Sequence, residues 1–332
     1  YEGGPAAAQV DTVTHDGDAK AALMEEIHRQ LNTSFTFDGC DTPFHFYVIE
    51  KNDSFYFGVS YFHPVAGAES IVLLMHDLVN AYLGQNVRKL SLPVQRYPTT
   101  YGPWLRRHPL VLLRKLANLP ALYWNLEHTW RPRYKDEKDT NNGYNFFSLT
   151  PPQLESLKSA GKSWGVTLND LFLAIMFRIF IPLTEHRALS SRRNRLSIGT
   201  IVNIRKDMGV DSGRAFGLFL GSFVVSHAVP EDTNLRTLAR DVNRQTMRIK
   251  KARRYMGSPV DLASALRTLR ILSTERKNKF YQKHHPLWGG VTNMNLNAIW
   301  PQSDSERPVN YIRAVSTGPA TPMVLSITTV RD

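Results

Sequence analysis

The residue with the clearest chemical potential in this sequence is His63, in the stretch YFHPVAGAES. Strand side chains alternate between faces, so His63 shares the parity of the apolar side chains that precede it. These are Phe55, Phe57, Val59 and Tyr61. A neutral imidazole can accept a proton near neutral pH, because its reference pKa is about 6.5. Two interpretations follow: a buried core histidine, or a general base held where Pro64 ends the strand.

Other catalytic motifs are missing from the sequence. It contains no phosphate-binding loop with its lysine, no GxGxxG after a strand and no GxSxG elbow. The 11 histidines form no HExxH, which disfavours metal catalysis. The single cysteine, Cys40, excludes an internal disulfide framework and fits a reducing compartment. The net charge of +12 favours acidic partners, such as nucleotides, phosphopantetheine carriers, anionic lipids or nucleic acid.

Regular elements are predicted on both sides of His63. Residues 16–32 indicate an amphipathic helix whose apolar positions recur four residues apart. The segment FHFYVIEKNDSFYFGVSYF predicts a hairpin that turns at 51–54, and AESIVLLMHDLVNAYLG predicts the helix after the histidine. Residues 86–145 are rich in proline, basic and aromatic residues, and they predict an irregular crossover between two lobes.

The second half predicts another mixed lobe. Thr167 and Asp170 form a capping-box-like start to the helix LNDLFLAIMFRIF, and residues 233–256 predict a long helix. Four buried strands are expected in RLSIGTIVNIR, AFGLFLGSFVVSHAV, GGVTNMNLNAIW and PMVLSITTV. The predicted lobes are 1–145, with the histidine and the crossover, and 146–332.

The longest apolar run is interrupted by a charge and a proline, and it is too short to cross a bilayer. No signal peptide opens the sequence, so a cytoplasmic location is expected.

This order of elements resembles the chloramphenicol-acetyltransferase-like superfamily, which includes condensation domains and wax ester synthases. The signature HHxxxDG falls on Phe62 to Ala68, and it puts the catalytic second histidine of the family on His63. The segment IVNIRKDM resembles the strand with the family arginine, here Arg205. The family aspartate that pairs with this arginine is replaced by Gly67, so Glu69 is the expected substitute.

The resemblance implies an α/β fold with two chloramphenicol-acetyltransferase-like lobes, each a mixed sheet with helices, and a tunnel between them. It implies acyl transfer from a coenzyme A or carrier-protein phosphopantetheine thioester, as co-substrate, to a hydroxyl or amine. No bound cofactor and no metal are expected. Thr292 and Asn293, in a segment similar to the tunnel strand, are candidate oxyanion donors, although such a pair is equally ordinary in a strand. The degenerate motif keeps an alternative open: a non-catalytic relative that docks a carrier or partner protein.

A second histidine pair also fits the signature in part. His284 and His285 stand in HHPLWGG, but the residues before them are polar and a strand is predicted after them. The signature is followed by a helix in the family, so the order of elements favours His63.

Basic residues form two further features. Four arginines recur every fourth residue opposite the apolar stripe of their helix. They are Arg236, Arg240, Arg244 and Arg248. This arginine stripe is either a solvated face or a dock for an acidic carrier or a coenzyme A phosphate. The crossover at 104–134 is the second feature, and it is a candidate membrane contact because basic amphipathic segments lie on membrane surfaces. Nucleic-acid binding is disfavoured, since no recognisable module is present.

Overall fold

The computed structural model shows a mixed α/β protein with two mixed sheets and flanking helices, as predicted. It describes residues 9–36, 42–85, 101–132, 139–190, 192–210, 215–230, 232–258, 260–261, 286–300, 308–317 and 321–330, with 267, 271, 273 and 276.

The first sheet has three strands in the order β1-β2-β3. Strand β1 (Val10–Val13) runs parallel to β2 (Phe44–Lys51), and β2 forms the predicted hairpin with β3 (Ser54–Tyr61). Helix α1 (Ala19–Asn32) begins at Asp18, whose carboxylate accepts from two backbone N–H groups of the first turn. Its apolar side chains pack with Tyr47 and Ile49 of β2. Burial of that stripe fixes the helix to the sheet.

The histidine segment follows β3 directly. A short 3-10 helix (His63–Val65) leads into α2 (Ala68–Tyr82). The face of β3 with the parity of His63 was predicted to be buried, and this was wrong: Phe55 is 48% exposed and Phe57 is only half-buried. These side chains border a cavity instead of filling a core.

The second sheet has the order β5-β4-β6-β7. Strands β4 (Leu196–Asn203) and β5 (Leu220–His227) are antiparallel, while β6 (Gly289–Asn295) runs parallel to both β4 and β7 (Val324–Thr329). All four strands were predicted from their apolar composition. Short 3-10 helices are present at Pro182–Leu189, Arg254–Gly257 and Leu296–Ala298.

Three helices accompany this sheet: α5 (Pro151–Trp164), α6 (Leu168–Phe180) and α7 (Leu235–Lys251). Helix α6 begins with the predicted capping box, in which the Asp170 N–H donates to the Thr167 Oγ1 and the Asp170 carboxylate accepts from the Thr167 N–H. Its side chains form the centre of the largest core. Among the described residues, no single helix is long and apolar enough to cross a membrane; α5 and α6 pass that test only as a pair bent by 98°.

The crossover was predicted to be irregular, and the structure corrects this. It contains α3 (Tyr101–Arg107) and α4 (Pro109–Glu127), the second with Pro120 inside it. Proline at the start of α4 is compatible with a helix, and leucine, alanine, lysine and arginine are strong helix formers that carry it past Pro120. Trp104 and Val111 pack against the core around α6. The division at 145/146 stays a prediction.

Candidate active site

A cavity of about 2150 Å³ is lined by residues from both sheets. The hairpin and the start of α2 supply one part of its wall, and β4, β5, β6 and β7 supply another. It brings together five residues singled out in the sequence. They are His63, Glu69, Arg205, Thr292 and Asn293. The arginine stripe does not line it.

His63 lies in the 3-10 turn that leaves β3, with its ring 5.7 Å from the ring of Tyr61. The residue is exposed because it borders the cavity. The surrounding protein nevertheless disfavours the charged imidazolium. Burial therefore lowers the pKa of His63 from its ordinary value, and a hydrogen bond to its own backbone only partly offsets this. The lowered pKa of His63 favours its neutral form, and the residue borders the cavity.

The start of α2, directly after the histidine loop, contacts the end of β4 and the residues that follow it. Arg205, only 2% exposed, approaches Glu69 with 3.5 Å between its Nη1 and the carboxylate Oε2. The same carboxylate oxygen accepts from the Asn203 amide, whose oxygen in turn accepts from the Arg205 N–H at 2.9 Å. The contact expected from the sequence is therefore present. Its role in holding the loop stays a prediction.

Ser70 provides a second attachment that the sequence did not reveal. Its hydroxyl donates to the Gly217 carbonyl at 2.8 Å and accepts from the Gly217 N–H and from Arg205 Nη2. The Gly67 N–H also donates to the Gly217 carbonyl, at 3.1 Å. Gly217 is remote in sequence, so these contacts depend on a fold that brings the segment before β5 to the start of α2. The serine two residues after the signature glycine position was their only sequence signal.

Thr292 and Asn293 lie in β6, opposite Ser326 and Ile327 of β7. Thr292 is half-buried and Asn293 is exposed, and both border the cavity that also contains His63. Their polar groups are therefore available to a bound molecule. Oxyanion stabilisation by this pair stays a prediction.

All four members of the arginine stripe are exposed on α7. Two of them already have protein partners: Arg240 donates to the Trp164 carbonyl at 3.0 Å, and Arg244 pairs with Asp241. Arg248 lines a separate pocket of about 410 Å³. The other lining residues of this basic pocket are Arg114, Lys251, Ala252 and Arg254.

The competing histidine pair, His284 and His285, lies outside the described residues. Within the part of the chain that is described, no group of three His, Cys, Asp or Glu side chains could hold a metal ion.

The two mixed sheets and the cavity with its loop histidine define an α/β protein of the chloramphenicol-acetyltransferase-like class. The sequence profile of the condensation domain family matches residues 7–259. The chain belongs to the condensation domain family. No curated protein sequence matches it.

Solved structures are similar in fold at low sequence identity. The first condensation domain of the CDA synthetase is 14% identical, with a TM-score of 0.57 over 98% of this chain and 66% of that one. The structure on condensation domain-mediated chain release from the enacyloxin polyketide synthase is 15% identical, with a TM-score of 0.50 over 98% of this chain and 62% of that one. A chain of the teicoplanin X-domain–OxyB complex is 16% identical, with a TM-score of 0.56 over 99% of this chain and 68% of that one. The chain spans about two thirds or less of the first condensation-domain chains it matches.

Proposed function

We propose that this chain is a condensation-type acyltransferase that uses His63 as its general base. The observation that carries the proposal is a histidine with a lowered pKa on the wall of a large cavity lined by both sheets. The acyl donor is a thioester on the phosphopantetheine of a carrier protein or on coenzyme A. The acceptor is a hydroxyl or an amine. The assignment to the condensation domain family supports the carrier-dependent chemistry.

In the proposed reaction, a neutral His63 takes the proton of the acceptor as its oxygen or nitrogen attacks the thioester carbon. The carbonyl oxygen becomes an oxyanion, for which Thr292 and Asn293 are the proposed donors. Collapse of the tetrahedral intermediate breaks the carbon–sulfur bond, and the imidazolium returns its proton to the leaving thiolate. The products are an ester or amide and a free thiol.

Replacement of His63 by alanine tests the role of the histidine. Because the side chain borders a cavity, His63→Ala should leave the melting temperature unchanged and lower thioester-dependent acyl transfer by about 10²–10⁴-fold. His45→Ala is a matched control, since His45 lies on the neighbouring strand and outside the cavity. Unchanged turnover in His63→Ala, or an equal loss in both variants, would contradict the proposal.

The pH dependence of the wild-type rate provides a second readout. Only the neutral histidine can act as a base, so kcat/KM should rise with pH and level off above the pKa of His63. Burial lowers that pKa, so the half-maximal rate should lie below pH 6.5. A midpoint above 6.5 would assign the base to another group.

The alternative is a non-catalytic domain that docks a carrier or partner protein. It is favoured by the replacement of the signature aspartate with Gly67. One structural relative, from the X-domain–OxyB complex, was solved in association with a protein partner. Carrier binding with no acyl transfer by the wild type, and no effect of His63→Ala, would support this alternative.

A membrane-surface location is a second proposal, and a specific feature of α4 favours it. One face of this helix presents exposed large apolar side chains, while Val111 on the opposite face packs on the core. We call this face the apolar ridge. Its members are Leu112, Leu113, Leu116, Leu119, Tyr123 and Trp124. Exposed cations accompany it, at Arg106, Arg107 and Arg114. Helices of this kind lie in the interface of anionic bilayers, where an acyltransferase would meet lipid acceptors.

A further inference from the structure

Arg313 is a cation of the cavity that the sequence did not single out. It lies in the segment 308–317, and β7 holds its guanidinium through two hydrogen bonds. The Nε donates to the Thr328 hydroxyl at 2.9 Å, and Nη2 donates to the Ile327 carbonyl at 2.7 Å. Arg313 also lines the cavity that contains His63. The guanidinium is therefore oriented by fixed protein groups, and its residue borders the space for a substrate.

No carboxylate within the described part of the chain pairs with Arg313. Burial lowers the pKa of its guanidinium, and electrostatic interaction with the phenols of Tyr311 and Tyr61 partly offsets this. Arginine stays charged in proteins, so a partly buried cation without a counter-ion carries a desolvation cost. An anionic ligand would offset this cost.

The charges of the whole cavity point the same way. Its described lining contains three cationic side chains, Lys51, Arg205 and Arg313, and a single carboxylate, Glu69. That carboxylate already faces Arg205 and accepts from Asn203. The cavity is thus left with an excess of positive charge, and Arg313 is the best-oriented source of it.

The remaining donors of Arg313 suit a planar anion. Nη1 forms no hydrogen bond with the described residues, and Nη2 has a second N–H beyond the one given to Ile327. Together they form the fork that binds a carboxylate through two parallel hydrogen bonds. Tyr61 connects this fork to the histidine, since its ring is 5.7 Å from the His63 ring and its phenol interacts electrostatically with Arg313.

We propose that Arg313 binds a carboxylate group of the substrate inside the cavity, and so selects an acidic acyl chain or an acidic acceptor. This rests on the proposed function, because it places that substrate in the same cavity. The carboxylate lies against the Arg313 fork, and the reacting group extends past Tyr61 toward His63. Arg313 is a binding residue here and takes no proton.

Paired ligands that differ only in charge test this without any turnover. Binding to the His63→Ala protein is measured by calorimetry for succinyl-coenzyme A and its carboxamide analogue, and for alanine and alaninamide. The first pair reports an acidic acyl group, and the second an acidic acceptor. In at least one pair the carboxylate should bind about tenfold to a hundredfold more tightly. Arg313→Gln should abolish that preference. Equal binding within both pairs would overturn the proposal.

Two further variants keep the test valid if Arg313→Gln is poorly folded. Thr328→Val removes the acceptor of the Nε hydrogen bond and keeps the charge, so it should weaken the preference without abolishing it. Lys51→Gln removes another cavity cation, which lies over the ring of Tyr56, and should leave the preference intact. Loss of the preference in Lys51→Gln to the same extent would assign the effect to net charge and refute a site at Arg313. A catalytically silent protein would still show the preference, so the two proposals fail separately.

Discussion

The behaviour of His63 follows from the two environments that meet at its ring. The protein around it lowers its pKa, while the cavity keeps it accessible to a ligand. A fully buried histidine would have a lowered pKa but no access to a ligand. A surface histidine would be accessible, but its pKa would not be lowered. A general base has to be neutral and within reach of the substrate, so the position of the ring on a cavity wall matters more than its strand parity.

A residue-scale prediction concerns the loop that carries this histidine. Glu69→Gln removes the charge that faces Arg205, so the free energy of unfolding should fall by about 1.5–3 kcal/mol. The loop that carries His63 should also shift from its position, and acyl transfer per folded molecule should decrease. Urea denaturation and kcat/KM measure the two effects.

Glu127→Gln is a matched control for this prediction. The Glu127 side chain is 13% exposed, against 12% for that of Glu69. Its carboxylate pairs with Arg192, lies 3.6 Å from Arg193 and does not line the cavity. The Glu127→Gln protein should be less stable than the wild type and should keep its acyl-transfer activity. Equal activity in the two variants would show that the Glu69–Arg205 contact does not position His63. Adding Gly67→Asp to Glu69→Gln should restore part of the lost stability and activity. Position 67 has room for the side chain, since a Cβ there meets its neighbours only at 3.6 Å or more.

At the scale of elements, the arginines of α7 differ in their surroundings: some contact other parts of the protein, and one lines a pocket that a ligand could enter. Arg240 and Arg244 have protein partners, whereas Arg248 shares the basic pocket with Arg114, Lys251 and Arg254. Four cations around one small pocket are suited to a phosphate or an acidic side chain. An acidic partner is therefore expected to dock mainly at the Arg248 end of the stripe. The other members of the stripe should contribute less to its binding.

Charge reversal at the basic pocket and in the middle of the stripe tests this expectation. Arg248→Glu with Arg254→Glu should weaken binding of coenzyme A or an acidic carrier protein at low salt, where surface electrostatics are strongest. Arg240→Glu with Arg244→Glu is the matched pair and should weaken it less. Each exposed substitution should change the free energy of unfolding by about 0.5 kcal/mol or less. Equal binding by both double variants and the wild type would identify the stripe as a solvated face.

At the scale of the whole molecule, the proposed membrane attachment combines a net charge of +12 with the apolar ridge on α4. In this proposal the charge would attract the protein to an anionic surface, and the ridge would provide apolar area to insert. We expect attachment to require both, because electrostatic attraction is screened by salt and the ridge is small.

Co-sedimentation with lipid vesicles measures this attachment. The protein should bind phosphatidylcholine vesicles that contain phosphatidylserine more strongly than phosphatidylcholine alone, and high salt should weaken the binding. Leu113→Glu with Leu116→Glu should abolish it. Leu183→Glu with Leu189→Glu is a control of equal charge at exposed leucines outside the ridge. If both double variants lose vesicle binding to the same extent, the ridge is not the membrane contact.

The sequence alone determined most elements of this protein. The hairpin, the capping box of α6 and the four strands of the second sheet were predicted because their signals are local: alternation, side-chain caps and runs of β-branched residues. The same signals led to His63 and, through the resemblance, to Arg205 and Glu69. The prediction of an irregular crossover was wrong because it rested on the proline-rich composition of the whole segment, whereas the helix formers around Pro109 and Pro120 prevail locally.

Only the tertiary structure decided what surrounds those residues. Ser70 contacts Gly217 across 147 positions of sequence, and Arg313 reaches the cavity because its segment lies beside β7. The cavity itself also arises from the packing of two sheets, which turned a predicted buried face of β3 into a wall. Local patterns cannot encode such contacts, because the energy of a side chain in the folded state depends on residues distant in sequence. Sequence thus identified the histidine, and packing of the sheets determined its pKa, its access to the cavity and the cation near it.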